Sequence, residues 1–348
     1  MIFKKEKKKD IVFFDKNFAK LKIKNFSYHY FDYKSLNFYV LLKSLPDVFK
    51  INDISFKYIY LKNFLEMISP SVVVGHNFNN IIYKVKRINS NIKTIIYLHN
   101  RLYLDQINQF KKEYSKIKSD FFFVCDNLHK KKLSNFISSK FIINGLTKNN
   151  EIEVNKKRKK FDLMIISEFR DLPENHFYSK SIKNIAKIIS DYAKVNNLKV
   201  LVALNSSRKE KNFDRLKEIN FFQEVDNKFY FNKKNSYQNA EESKLIICLA
   251  SNLGADLLAR GYKVLFLPFL ANYSEKYKSM YLKKNSEFVH KHENFKEITK
   301  KIDNLLKIKK NTWEKTLIKS NMKFIYDKKN TIMKKIIKKI IEDDKKIY

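Results

Sequence analysis

Glycine and proline are scarce in this chain, with four of each in 348 residues, beside two cysteines and one tryptophan. Two of the four glycines, Gly254 and Gly261, and one proline, Pro268, fall within residues 244–268, which gathers the turn chemistry in one stretch. Cys125 and Cys248 each end an apolar run and are expected as buried free thiols in a reduced, cytosolic compartment. Cysteine and histidine fall in no zinc-site spacing, so no metal site is expected. No run approaches the ~20 apolar residues of a membrane-spanning helix. The charged start Lys4–Asp10 is followed by no apolar core of signal-peptide length. A soluble or peripheral protein is expected.

Acidic residues are also few, 36 against 72 lysines and arginines, for a formal net charge of +36. That excess invites a nucleic-acid reading, and two shortages weigh against it. Only seven cations are arginine (Arg87, Arg101, Arg158, Arg170, Arg208, Arg215 and Arg260), whereas readers of bases and phosphates favour the arginine fork. The lysines are spread along the whole chain beside abundant Ile, Asn, Phe and Tyr, with no cluster of arginines and stacking aromatics. Such a mixture fits a compositional drift of the entire sequence, so no nucleic-acid partner is expected. A cationic surface with affinity for anionic lipid or phosphorylated substrates follows either way. At 44% hydrophobic and 15% aromatic residues the chain is too apolar for disorder, and its length suits two domains.

Short strands are expected at Ile11–Phe14 and Tyr28–Phe31, with helices over Ser35–Leu45 and Phe56–Met67 stopped by Pro46 and Pro70. Continuous apolar runs follow at Ser71–Gly75, Thr94–Leu98, Phe121–Cys125 and Phe141–Ile143, separated by helical segments Asn79–Ile88, Leu104–Ile117 and Asn127–Ile137. Unbroken runs imply strands buried on both faces, hence a parallel sheet between helices. The charged stretch 151–160 interrupts this rhythm and reads as a linker. Strands then recur at Leu163–Ser167, Val200–Leu204 and Phe229–Phe231, with helices at Ser181–Ala193, Asp214–Ile219, Tyr273–Leu282, Phe295–Leu306 and Thr312–Phe324. The division expected is 1–150, linker 151–160, 161–325, and a basic amphipathic helix in 326–348. Within Thr331–Ile341, Ile332, Met333, Ile336, Ile337, Ile340 and Ile341 form one stripe. It suits either a last helix packed on the body or a helix lying on an anionic membrane.

In 244–268 an apolar strand, Leu245–Leu249, leads through Ala250, Ser251 and Asn252 into a helix over 253–260, which Gly261 stops before a strand at Val264–Leu267. The amides at Ser251, Asn252 and Gly254 form an anion site suited to a diphosphate. An ordinary βαβ turn accounts for the pattern equally well. Arg170 follows the first strand of the second half, in a loop at the sheet's carboxyl edge, and is a candidate diphosphate contact. Asn205, Ser206 and Arg208 are weaker ones, and Arg260 fits the helix C-terminus better than a substrate. For a base that deprotonates an acceptor hydroxyl, His99 and His76 follow strands of the first half, with Asp105 and Asp126 as further candidates.

Residues 251–264, Ser-Asn-Leu-Gly-Ala-Asp-Leu-Leu-Ala-Arg-Gly-Tyr-Lys-Val, resemble the signature Ser-Thr-Leu-Gly-Tyr-Glu-x-Leu-Ala-Arg-Gly-Lys-Lys-Val. That signature belongs to surface-carbohydrate and O-antigen biosynthesis proteins of Gram-negative bacteria and spirochaetes. Ile142–Asn150, Met164–Arg170 and Ile96–Arg101 are similar, in order, to the family's Gly-Ser-x-x-Asn-Asn, Ile-Ser-Gln-Tyr-Arg and Gln-Asn-Gly segments. This chain differs in carrying Asn252, Ala255 and Asp256 for Thr, Tyr and Glu, and Arg101 for the loop glycine.

The resemblance implies a GT-B-like α/β fold. It would have two Rossmann-like domains with parallel sheets facing a central cleft, the first on the acceptor side and the second binding the nucleotide donor, and a helical C-terminal tail. It implies a metal-independent, cofactor-free glycosyltransferase for surface-carbohydrate (lipopolysaccharide, O-antigen) synthesis, moving sugar from a nucleotide-sugar donor to a lipid-linked saccharide at the cytoplasmic membrane face. Asp256 would stand where GT-B enzymes hold the ribose or donor sugar, beside Arg170, Ser251, Asn252 and Gly254. A polyol-phosphate transferase of similar architecture, a catalytically silent GT-B subunit, and a basic nucleic-acid-binding protein are the alternatives.

Overall fold

The structure is a computed structural model that describes residues 7–15, 23, 25–32, 36–50, 55–114, 117–153, 158–205, 215–269, 286–319 and 325–346. The expected helix Tyr273–Leu282, Ser206, Arg208, Asp214 and the end of the segment Thr312–Phe324 lie outside these residues. The chain forms two compact units. One comprises Met1–Arg101, Gln109–Ile152 and Ile325–Tyr348, and the other Leu102–Asn108 and Glu153–Phe324.

The first unit holds six parallel strands, β1 (Ile11–Phe13), β2 (Tyr28–Tyr30), β3 (Val72–His76), β4 (Lys93–Tyr97), β5 (Ile117–Val124) and β6 (Ile137–Ile143), in the order β2-β1-β3-β4-β5-β6. Its helices are α1 (Phe38–Lys50), α2 (Phe56–Ile68), α3 (Ile82–Ile88), α4 (Leu104–Glu113, whose start belongs to the second unit), α5 (Asn127–Leu133) and α6 (Thr147–Asn150). Strand residues of both alternations are buried: Val12, Val73, Ile96 and Phe122 as fully as Ile11, Val74, Ile95 and Phe123. That is the two-sided burial that unbroken apolar runs require. Because β1 pairs with β2 on one side and β3 on the other, the chain reverses direction across the sheet between β1 and β3, which brings their carboxyl ends together.

The second unit repeats the plan with β7 (Phe161–Ile166), β8 (Val200–Ala203), β9 (Tyr230–Phe231), β10 (Ser243–Cys248) and β11 (Val264–Phe266), all parallel, in the order β11-β10-β7-β8-β9. Here the reversal falls between β7 and β10. Its helices are α7 (Phe177–Val195), α8 (Arg215–Gln223), α9 (Ser236–Glu241), α10 (Asn252–Ala259), α11 (Phe295–Lys307) and α12 (Lys310–Lys319).

Several boundaries differ from the sequence expectation for local reasons. Pro46 lies inside α1 and does not stop it. The lost bond would have gone to the carbonyl of Leu42, on a face where Leu42 and Leu45 are exposed and solvent can hydrate the free oxygen. Strand β5 begins at Ile117 and β6 at Ile137, where alternating rather than continuous patterns hide the strand, and their register shifts between Lys118 and Phe121. Helix α9, six residues long and absent from the sequence expectation, starts at a capping box formed by Asn235 and Gln238.

The last helix, α13 (Thr331–Lys345), belongs to the first unit. Met333, Ile337 and Ile341 are fully buried against Ile11, Phe13, Val72, Val74, Ile95, Tyr97 and Phe123, so most of the apolar stripe packs on the body and is closed to a bilayer. Lys334 pairs with Glu151 at 2.9 Å and Lys345 with Asp10 at 3.1 Å. Before α13, a buried amide cluster anchors the returning chain. The Asn150 amide donates to Asn330 Oδ1 at 2.9 Å and to the Asn144 carbonyl at 2.8 Å, and the Asn330 amide donates to the Thr147 carbonyl at 2.9 Å. Gly145 sits in this cluster at φ +80, where a Cβ would lie 2.1 Å from the Ile325 carbonyl oxygen.

Gly145→Ala should therefore lose about 2–5 kcal/mol in urea unfolding, from left-handed strain plus a backbone clash. Gly261→Ala is the control, because Gly261 has φ +86 and nothing within 4 Å of a built Cβ. It should lose only the conformational part, about 1–2 kcal/mol. Equal losses would show that the packing around Gly145 is not tight.

Candidate functional site

In the second unit, the loop after β7 and the turn after β10 meet at the strand-order reversal. Glu168 makes the junction: its Oε1 accepts the backbone N–H of Leu249 at 2.8 Å and of Ala250 at 3.0 Å. Its Oε2 accepts from the Tyr178 hydroxyl at 3.4 Å, and the Arg170 guanidinium lies 4.4 Å from the centre of the Tyr178 ring. Burial pushes the Glu168 carboxyl up to about 7 against the opposing pull of the two amides and of Arg170. Burial, with Glu168 alongside, also raises the Tyr178 hydroxyl far above its ordinary range. Beneath the loop, the Ser167 hydroxyl donates to buried Glu218, which also accepts the Asn205 amide at 2.9 Å. Glu218 of α8 thus ties the chain just beyond β7 to the chain just beyond β8. Sequence reasoning missed Glu168, although it sits inside the Met164–Arg170 segment beside Arg170.

Ser251 caps α10, its hydroxyl accepting the Leu253 amide at 3.1 Å, and Ser251 and Asn252 keep part of their surface open. The helix start and Arg170 are thus placed at one edge of the sheet by neighbouring strands β10 and β7. The other two residues expected here face inward. A Cβ on Gly254 would lie 2.5 Å from Cys248 Sγ and 3.0 Å from the Phe266 ring, so its bareness lets α10 close on the sheet. Asp256 is fully buried; its Oδ2 accepts from the Tyr237 hydroxyl at 2.7 Å and from Arg260 Nε at 3.2 Å, with the guanidinium 4.8 Å from the Tyr237 ring centre. Any influence of Asp256 on a ligand would pass through the placement of α10. Arg260 takes the packing role expected of it.

In the first unit, His76 and His99 meet, their ring centres 5.2 Å apart. Asn77, fully buried, holds the second loop by accepting the His99 N–H at 2.8 Å. Lys148 Nζ lies 3.3 Å from His99 Nε2, and the Tyr97 hydroxyl donates to Asp15 Oδ2 at 2.8 Å. Burial first, then Lys148 and His76, lowers the His99 ring to about 4, and burial lowers His76 despite the attraction of Asp15. Both imidazoles are therefore neutral near pH 7. Asp15 and Lys148 were not singled out from the sequence. Lys148 stands in the Ile142–Asn150 segment, and Asp15 follows β1 at the sheet's reversal.

Asp105, whose Oδ1 is buried without a hydrogen bond, falls in the second unit's segment. Asp126 is occupied in capping α5 and in holding His129 Nδ1 at 3.0 Å. Cys125, Asp126 and His129 bring their ligand atoms within 4.8 Å of one another, the group with metal-site proximity found among the described residues. Both cysteines are buried and free. No helix among the described residues is long and apolar enough to cross a membrane.

A model of the O-antigen biosynthesis protein family matches residues 96–341. No curated protein matches the sequence. Among solved structures, a Listeria monocytogenes protein assigned as a UDP-N-acetylglucosamine 2-epimerase is similar at TM-score 0.58 and 11% identity, over 99% of this chain and 98% of that one. The UDP-GlcNAc 2-epimerase of Methanocaldococcus jannaschii gives 0.54 and 14%, over 94% and 98%. That of Neisseria meningitidis, solved with UDP-GlcNAc, gives 0.53 and 15%, over 94% and 99%. Likeness at such identities is one of fold, and it agrees with the two parallel sheets: this is a GT-B-like two-domain α/β protein with a C-terminal helix.

Asp256→Ala would leave the Arg260 guanidinium buried without its carboxylate, so a loss of about 3–5 kcal/mol is expected in chemical denaturation. A loss under about 1 kcal/mol would mean that the pair is not desolvated as the geometry implies.

Proposed function

Because the chain belongs to the O-antigen biosynthesis protein family, we propose that its second unit binds a nucleotide-activated sugar, which the protein transfers to a surface-polysaccharide intermediate. The observation that carries this reading is the placement of Arg170 and of the capped start of α10 just beyond the carboxyl ends of the neighbouring strands β7 and β10, at the strand-order reversal of the second sheet. Open α/β sheets take their ligands at that point. The positive end of a helix together with a guanidinium suits a diphosphate and the charge that develops as it leaves. In this reading Arg170, Ser251 and Asn252 contact the diphosphate, while Gly254 and Asp256 set the position of α10. No metal or other cofactor is then required, so chelator should leave the activity unchanged.

The acceptor hydroxyl would lose its proton to the group at the first sheet's edge. His99 and His76 are neutral there and so have a free lone pair, though burial and Lys148 make His99 a weak base, and Asp15 pulls both back toward the charged form. A lipid-linked acceptor is proposed, with the cationic surface holding the protein at the inner face of the cytoplasmic membrane. The fold likeness to UDP-GlcNAc 2-epimerases over almost the whole chain favours one second reading, epimerisation of a nucleotide sugar at the same donor site. Formation of a C2 epimer without any acceptor would select it.

A thermal-shift screen against nucleoside diphosphates and nucleotide sugars tests the donor site. One compound should raise Tm, and Arg170→Ala should weaken its binding about 10- to 100-fold, the loss of one charge-assisted contact. No shift across the panel, together with salt-dependent binding of arbitrary RNA, would overturn the reading.

A further inference from the structure

An anion already sits at the second sheet's strand-order reversal, and it is part of the chain. Glu168 takes the amides of Leu249 and Ala250, immediately before the helix cap Ser251, and lies beside Arg170. Amides and a guanidinium at such a position are what a diphosphate would seek. A carboxylate fixed there draws on the charge of Arg170 and repels a second anion at the neighbouring helix start.

We propose that Glu168 governs diphosphate binding at this site through its own charge: ionised it holds the turn and resists the ligand, and protonated it admits it. The proposal rests on the donor-site reading above. Among the described residues, the groups that face Glu168 are few. Arg170 faces it from its own loop with a guanidinium. Tyr178 from α7 and Cys248 from β10 are both raised by burial and stay neutral near pH 7, and Tyr103 acts on Tyr178. The remaining partners are backbone amides, which do not titrate. Glu168, pushed up to about 7, is thus the member of this cluster that changes charge in the neutral range. An internal strut would hold the same amides without any such dependence.

The two accounts separate on Glu168→Gln. Glutamine keeps a carbonyl oxygen that can accept both amides, so the strut remains while the charge is gone. The probe is UDP-N-acetylglucosamine, whose diphosphate is a diester and does not titrate near neutrality, unlike a terminal phosphate with its second pKa of about 6. Calorimetric titration of the full chain at constant ionic strength should show wild-type affinity rising about tenfold as pH falls from about 8 to about 6, the expected weight of one nearby charge. Glu168→Gln should bind at the tighter level throughout, with a flat profile. Equal, pH-independent affinities in the two forms, or weaker binding by the variant, would overturn the proposal and leave the donor site standing. If UDP-N-acetylglucosamine and the rest of the nucleotide panel bind neither form, the donor-site reading fails and this proposal with it. Should Glu168→Gln fail to fold by circular dichroism, the wild-type pH profile decides alone.

Discussion

Two hydrogen bonds, from the Leu249 and Ala250 amides to Glu168, hold the carboxyl edge of the second unit together. They join the loop after β7 to the turn before α10 at the place where the strand order reverses. The position of Arg170 on the Tyr178 ring depends on the first loop, and the start of α10 on the second. From there the constraint runs inward. Gly254 lets α10 close onto Cys248 and Phe266, and the Asp256–Arg260 pair, with Tyr237, fixes the helix against its neighbour α9. A buried charge pair of this kind stabilises only while both partners are present. Residues that read as ligand contacts from their spacing are thus, in part, the frame that aims the helix end.

The first unit is held by a different device. Four buried polar side chains, Asn144, Thr147, Asn150 and Asn330, hydrogen-bond to one another and to the backbone around Gly145, and so tie the end of β6 to the chain that returns for α13. That tie seats Met333, Ile337 and Ile341 in the first unit's core. The same segment carries Lys148 to His99. One short stretch after β6 thereby serves packing and the histidine pair together.

The two histidines illustrate how environment outweighs residue type. Histidine in water titrates near neutrality, but here burial and the Lys148 ammonium keep His99 neutral well below pH 7. Glu168 moves the opposite way for the same reason, because burial disfavours its charged form. Each of the two sheets therefore carries, near its own reversal point, ionisable groups displaced from their solution behaviour, a common mark of functional sites.

Much of the fold was legible in the sequence, because it is recorded locally. Unbroken apolar runs such as Val72–Gly75 require strands buried on both faces, periodic stripes such as Ile182, Ile185 and Ile189 require helices, and Gly261 marks the end of α10. The turn at 249–252 was legible for the same reason. Strand order is not local, and it decided the rest. Glu168 meets Leu249 across 81 residues of chain, and Tyr97 meets Asp15 across 82. A residue's spacing states which face of its own element it occupies, but not what lies opposite. The spacing of Asp256 suits a donor contact, whereas in the fold Tyr237 of α9 packs on its buried carboxylate, and the α13 stripe suits a membrane as well as a core. Local chemistry determined the elements and their turns; only the packing of distant strands decided which side chains share a site.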